Sequence, residues 1–225
     1  GGATGVEMAA ELVGFLKKLC KKYDFLWDKV HVRILEGSNK LIGMDEKGTA
    51  VLAKRLQKLS VEVFLNSFMH EATKDEVVIK SADGGLQTLP SDFLIWTGGV
   101  QVNTVVRQAF GEEKCGGAIP VNPFLQSMED RNVFAAGDNA FLHDPENPGK
   151  RLPMLAQVAA EQGALIARNL LALVQGNLLE EYKPGKSELL VPVGGKFAVW
   201  CRGARVYKGF WVWLMRRIVC LKYSL

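Results

Sequence analysis

Apolar residues recur along this chain with two periods, and the way those periods alternate suggests a fold. Over residues 8–22, Met8, Leu12, Phe15, Leu16 and Leu19 fall at helical spacing. Lys17, Lys18, Lys21 and Lys22 load the end of that stretch, where cations suit the negative end of a helix dipole. Residues 29–35 alternate polar and β-branched side chains and predict a strand that ends at Glu36. A second amphipathic helix is predicted over 49–59 and a short strand over 61–65. Residues 76–80 and 86–89 alternate again, joined by Asp83-Gly84-Gly85, whose glycines supply the positive φ of a hairpin turn. A small antiparallel meander follows from that pattern. Residues 93–96 (Phe-Leu-Ile-Trp) are continuously apolar and predict a fully buried strand leading into Thr97-Gly98-Gly99. Further on, the apolar run 133–136 predicts a strand ending in Gly137-Asp138, and an alanine- and leucine-rich helix is predicted over 155–175.

Helix, strand, helix, strand, meander and buried strand together predict an α/β fold with a doubly wound, Rossmann-type nucleotide-binding domain. The 48% hydrophobic and 23% charged content is ordinary for a folded chain and argues against disorder. A net charge of +4 without a long basic run gives no nucleic-acid surface. The four cysteines form no C-x-x-C pair, and His31, His70 and His143 lack ligand spacing, so no metal site is expected.

The chemistry begins at the first residues, Gly1-Gly-Ala-Thr-Gly-Val-Glu7. They read as a dinucleotide-binding turn of the form G-x-G-x-x-G whose first glycine and incoming strand would lie before residue 1. Gly2 and Gly5 serve as the second and third glycines, where backbone N–H groups at a helix start can meet a pyrophosphate. On this reading the chain is the C-terminal part of a larger protein. The acid expected at the tip of the next strand, to accept hydrogen bonds from ribose hydroxyls, is Glu36. A carboxylate there repels a 2′-phosphate and favours NADH over NADPH. Asp138, just past an apolar run, can bond a sugar-like chain of hydroxyls, though taken alone it reads as a turn-forming or capping aspartate.

Taken in order, residues 1–7, Trp96-Thr-Gly-Gly-Val100, Asn132-Val-Phe-Ala-Ala-Gly-Asp138 and Met154-Leu-Ala-Gln-Val-Ala-Ala-Glu-Gln-Gly163 resemble the two-dinucleotide-domain flavoprotein reductases. More narrowly, they resemble the type II NADH:quinone oxidoreductases, single-polypeptide respiratory enzymes that pump no protons. The resemblance implies FAD and NADH as cofactors and a membrane quinone as acceptor. It implies an NADH-binding domain over residues 1–100, the C-terminal part of a FAD-binding domain over 101–179, and a membrane-association segment over 180–225. Gly2, Gly5 and Glu36 then hold NADH, Glu7 stands near the nicotinamide end, and Gly98 and Gly99 form the loop beside the nicotinamide. Gly137 and Asp138 match the second FAD motif. Ala156 and Gln157, also implied as cofactor-binding where the helix approaches the flavin, open the quinone-site helix, on which Gln157 and Glu161, the implied catalytic pair, share a face. The family usually has glutamine where this chain has Glu161.

The final stretch 208–222 sets Phe210, Trp211, Trp213, Leu214, Ile218 and Leu221 beside Arg216, Arg217 and Lys222. It is too short to span a bilayer, which takes about 20 apolar residues. Tryptophans beside arginines suit a helix lying among lipid headgroups, or one docked on the protein's own core or a homodimer partner. The resemblance implies a peripheral protein on the cytoplasmic face of a bacterial membrane or on an organellar inner membrane. Two other readings stay open within the residues. One is a sulfide- or disulfide-type acceptor, for which only Cys115 lies in a suitable region. The other is an NADH-responsive binding protein resembling apoptosis-inducing factor.

Overall fold

The structure is a computed structural model that describes residues 1–225 except 111–114, 146–148, 186–188, 204 and 225, and omits the side chains of Cys115 and residues 222–224. It comprises two compact units, Gly1–Gly99 with Glu188–Leu225, and Val100–Ser187.

In chain order the first part runs α1 (Ala3–Lys22), β1 (Val32–Leu35), α2 (Glu46–Lys58), β2 (Val61–Phe64), β3 (Ser67–Ala72), β4 (Glu76–Ser81) and β5 (Leu86–Pro90). Next come α3 (Thr104–Phe110), β6 (Ile119–Pro120), β7 (Ala140–Phe141) and α4 (Ala156–Gln175). The chain finishes with β8 (Leu189–Pro192), β9 (Ala198–Arg202), β10 (Arg205–Gly209) and α5 (Phe210–Ser224).

In the first unit, β1 and β2 pair in parallel, Val32 opposite Val61 through Leu35 opposite Phe64. Parallel strands need a crossover, which α2 provides. Arg33 stands directly opposite Glu62 in that register, and its Nε lies 3.3 Å from the Glu62 carboxylate, which also meets His31 at 2.8 Å. The α2 helix starts three residues before the periodicity suggested because Asp45 caps it, its carboxylate accepting from the Gly48 N–H at 2.8 Å. The meander is present as β3-β4-β5, all antiparallel. Its inner face contributes the buried Val77 and Ile79. At the tight turn Gly84 adopts φ +89°, and the Asp83 carboxylate accepts from the Gly85 N–H at 3.1 Å.

The core of this unit joins Val6, Ala10 and Val13 of α1 to Val32, Ile34, Leu52, Leu56, Val191, Val193 and Val199. Val193 and Val199 are fully buried, so part of this core comes from the last forty residues of the chain. There β8, β9 and β10 form a three-stranded antiparallel sheet. Arg55 of α2 clamps its turn, donating to the carbonyls of Val193 (2.9 Å) and Gly194 (2.6 Å). At Gly194 (φ +74°) a Cβ would come within 2.6 Å of the Ala10 carbonyl oxygen, so the turn can approach α1 only without a side chain. Proline and glycine richness hid this sheet from the periodicity.

In the second unit, β6 and β7 pair in parallel, and a core of Ile119, Val121, Leu125, Ala135, Leu142, Leu152, Leu165 and Tyr182 packs against one line of α4. The helix ends at Gly176 (φ +72°), where the Asn177 N–H bonds back to the Ala172 carbonyl at 2.8 Å. Asn169, fully buried, then fixes the returning chain. Its Nδ2 donates to the carbonyls of Phe124 (3.2 Å) and Glu180 (3.0 Å), while its Oδ1 accepts from the Glu180 N–H (2.8 Å).

Two expected strands are not strands. Residues 93–96 have no partner strand among the described residues. Phe93 is 82% and Trp96 67% exposed, since continuous apolarity cannot make a strand where no neighbouring backbone pairs with it. Residues 133–136 make one isolated bridge, Phe134 with Gln126, and bury only Ala135. The run is held instead by single bonds, Ser127 N–H to Val133 and Ala135 N–H to Leu125, and it ends where Gly137 turns to φ +58°.

Candidate functional site

In the first unit, α1 begins at the glycine turn itself. Gly2 stands at its N-cap without any side-chain acceptor, leaving first-turn N–H groups open toward solvent or a ligand. No atom lies within 4 Å of where a Gly2 side chain would start. Gly1 and Gly5 are closed off instead. A Cβ on Gly1 would strike the Glu36 side chain, and one on Gly5 would sit 2.7 Å from the Thr97 hydroxyl. The fold therefore brings Glu36 and the Thr97-Gly98-Gly99 loop, distant in sequence, against the same turn.

Glu36 directly follows β1. Its Oε1 accepts from the Ser38 N–H at 2.8 Å and lies 2.9 Å from the Ser38 hydroxyl. Oε2 faces the Gly1 nitrogen at 3.9 Å, and that nitrogen donates to the Leu35 carbonyl at 3.0 Å. One carboxylate oxygen is thus fixed while the other faces the turn. Gly99 holds φ +102°, and Gly98 leaves room for the Trp96 ring, which a Cβ there would strike.

Glu7, one helical turn along α1, pairs with Arg216 of α5 at 3.3 Å. Burial pushes its carboxyl above the ordinary range, with Arg216 pulling it down and Glu11 pushing it up. On sequence grounds Arg216 belongs to a tail helix lying among lipid headgroups or docked on the protein's own core or a partner. Its contact with Glu7 depends on the fold of the tail, which no local motif signals.

In the second unit, the Gly137 N–H donates to Oε1 of the buried Gln162 at 2.7 Å. A Cβ on Gly137 would come within 2.9 Å of the Ala159 Cβ, so the glycine allows close approach to α4. Asp138 is exposed and lines a cavity of about 250 Å³ with Arg107, Gly116, Arg151, Met154 and residues 100–102. Ala156 and Gln157 open α4, whose N-cap Leu155 offers no side-chain acceptor.

The Gln157 Nε2 donates to Glu161 Oε1 at 2.9 Å. The other oxygen of Glu161 accepts from the Tyr182 hydroxyl at 3.0 Å. Burial first, and Glu161 second, push the Tyr182 phenol up to about 12. Tyr182 was not among the residues singled out from sequence, because it follows the helix by a loop that only the tertiary fold returns. A cavity of about 400 Å³ lies beside it, lined by Glu161, Ala164, Leu165, Arg168, Tyr182 and Lys183 among others.

The tail helix α5 buries Val212 but exposes Trp211, Ile218 and Leu221, which share one face. Among the described residues no helix is long and apolar enough to cross a membrane, and no group of His, Cys, Asp and Glu could hold a metal ion. The Cys115 side chain, on which a sulfide or disulfide acceptor would depend, lies outside the described residues.

The chain is 30% identical over 198 residues to a type II NADH:quinone oxidoreductase of Haemophilus influenzae, covering 85% of this chain and 43% of that protein. It is 28% identical over 184 residues to one of Staphylococcus aureus, covering 81% and 45%. It thus spans under half the length of these curated relatives. Its fold is similar to that of NDH2 from Plasmodium falciparum in complex with NADH (TM-score 0.86, 15% identity), covering 100% of this chain and 61% of that one. It is also similar to the sulfide:quinone oxidoreductase of Aquifex aeolicus (TM-score 0.74, 18% identity), covering 95% and 52%. The sequence profile of the pyridine nucleotide-disulphide oxidoreductases matches residues 1–163, and the chain belongs to that family.

Proposed function

We propose that this chain forms part of a type II NADH:quinone oxidoreductase, an enzyme that takes a hydride from NADH onto FAD and passes the electrons to a membrane quinone. Hydride chemistry of this kind belongs to the bound nicotinamide and flavin, and the protein's share is to bind, orient and exclude water. The observation that carries the reading is Glu36, held by Ser38 and facing the side-chain-free turn at the head of α1.

The residues fit both cofactors. In the first unit, Gly2 leaves open the approach to the α1 N–H groups, Gly5 lets the Thr97 loop close on the turn, Glu36 offers a carboxylate oxygen for ribose hydroxyls, and Glu7, Gly98 and Gly99 are the nicotinamide-end residues. In the second unit, Gly137 and Asp138, at a cavity edge, are the groups for the hydroxyl chain of a flavin. Ala156, Gln157 and Glu161 on the first turns of α4 are the quinone-facing residues.

The exposed Trp211, Ile218 and Leu221, with Arg217 beside them, support a tail helix lying on the membrane. On this proposal the protein is peripheral, on the cytoplasmic face of a bacterial membrane or on an organellar inner membrane.

The test is Glu36→Ala in the full-length flavoprotein. NADH affinity should fall about tenfold, roughly 1.4 kcal/mol, while bound flavin is retained. Unchanged NADH affinity would remove the cofactor assignment.

A further inference from the structure

The Gln157–Glu161 pair has a third member. Glu161 departs from the glutamine expected at its position, and in the fold both of its oxygens are engaged, one by Gln157 and one by Tyr182. A carboxylate has no proton to give, so the Gln157 atom facing it must be the amide nitrogen. The amide is thereby fixed, with its carbonyl oxygen and second hydrogen left for a ligand. Two glutamines at these positions could pair either way round and would fix neither.

Tyr182 is itself well anchored. It is 9% exposed, its N–H donates to the Pro123 carbonyl at 2.7 Å, and Asn169 holds nearby Glu180 by two hydrogen bonds and Phe124 by a third. Its phenol is therefore a fixed donor, and Glu161 is a fixed acceptor because of it.

Resting on the quinone-reducing reading above, we propose that Tyr182 is a positioning residue of the quinone site, acting through Glu161 to hold the Gln157 amide in one orientation. It touches neither substrate nor cofactor. Its effect falls on how well the acceptor ring is bound and oriented.

The experiment uses the full-length flavoprotein, with ubiquinone-1 as quinone and ferricyanide as the reference acceptor. Tyr182→Phe keeps the ring and removes only the hydroxyl. It should raise the KM for ubiquinone-1 about three- to tenfold while kcat changes less than about twofold, the pattern of lost binding and orientation. NADH–ferricyanide turnover should change much less. Adding Tyr182→Phe to Gln157→Ala should have little further effect, because members of one network are not additive. An unchanged KM in Tyr182→Phe, or full additivity with Gln157→Ala, overturns the proposal while the quinone reading stands.

Wild-type protein that reduces ferricyanide but not ubiquinone-1 overturns both. Should Tyr182→Phe lose its flavin or unfold, Glu161→Gln decides. That variant frees the amide orientation and should also raise the KM, whereas a folded Glu161→Gln with unchanged KM overturns the proposal.

Discussion

Two helices of this molecule, α1 and α4, begin without a side-chain cap, and they offer opposite kinds of site. At the head of α1 the site is made of absence. Gly1 and Gly5 have no room for a Cβ, and Gly2 opens on empty space. The candidate ribose carboxylate, Glu36, arrives from another element. At the head of α4 the site is made of side chains, with Gln157, Glu161 and Tyr182 joined by hydrogen bonds. The α2 helix, which serves only the core, is capped by its own Asp45. The open starts of α1 and α4 coincide with candidate ligand sites, and the capped start of α2 does not. A backbone-built site should fail abruptly on substitution, whereas a side-chain network should respond by degrees.

The largest effect should come from filling the backbone-built site. Gly5→Val adds branched bulk against Thr97 and should lower NADH affinity about a hundredfold, roughly 2.7 kcal/mol, measured by titration on flavin-loaded protein. An affinity within threefold of wild type would mean the turn yields, and the contrast with α4 would disappear.

Next in size is the capped helix. Asp45→Ala should lower stability by about 1 kcal/mol with NADH affinity unchanged, since it removes the α2 cap. Denaturant unfolding beside NADH titration separates the two, and a parallel loss of affinity would blur the distinction between structural and functional helix starts.

The smallest effect tests the network by pH. The Tyr182 phenol is raised to about 12, above its ordinary value of about 10. The folded state therefore holds that proton more tightly than the unfolded state. The stabilisation is fully present below about pH 10 and is lost as pH rises through about 12. Thermal midpoints followed over this window should fall more steeply for wild type than for Tyr182→Phe. Matching slopes would show that burial and Glu161 together do not raise the phenol.

Much of this was legible in the sequence because it is local. The helix predicted over 155–175 is α4 within a residue, since its periodicity and its terminal Gly176 are both written in neighbouring residues. The meander and its Asp83-Gly84-Gly85 turn followed for the same reason. The glycine turn and Glu36 could be named as partners, and the fold sets them in contact. Less legible was anything that depends on what lies alongside. Residues 93–96 looked like a buried strand because the sequence records apolarity and not the presence of a pairing neighbour. The tail looked like an appendage, yet Val191, Val193 and Val199 complete the first unit's core.

Spacing within a dozen residues governs the α/β class, the glycine turn, the acid at the strand tip and the long helix with its polar face, so each could be read from neighbouring residues. The tertiary structure alone decided that Tyr182 meets Glu161, that Arg216 meets Glu7, and that Gly194 must lack a side chain against Ala10. Those contacts join residues far apart along the chain, and only the packing of one element on another brings such residues within reach.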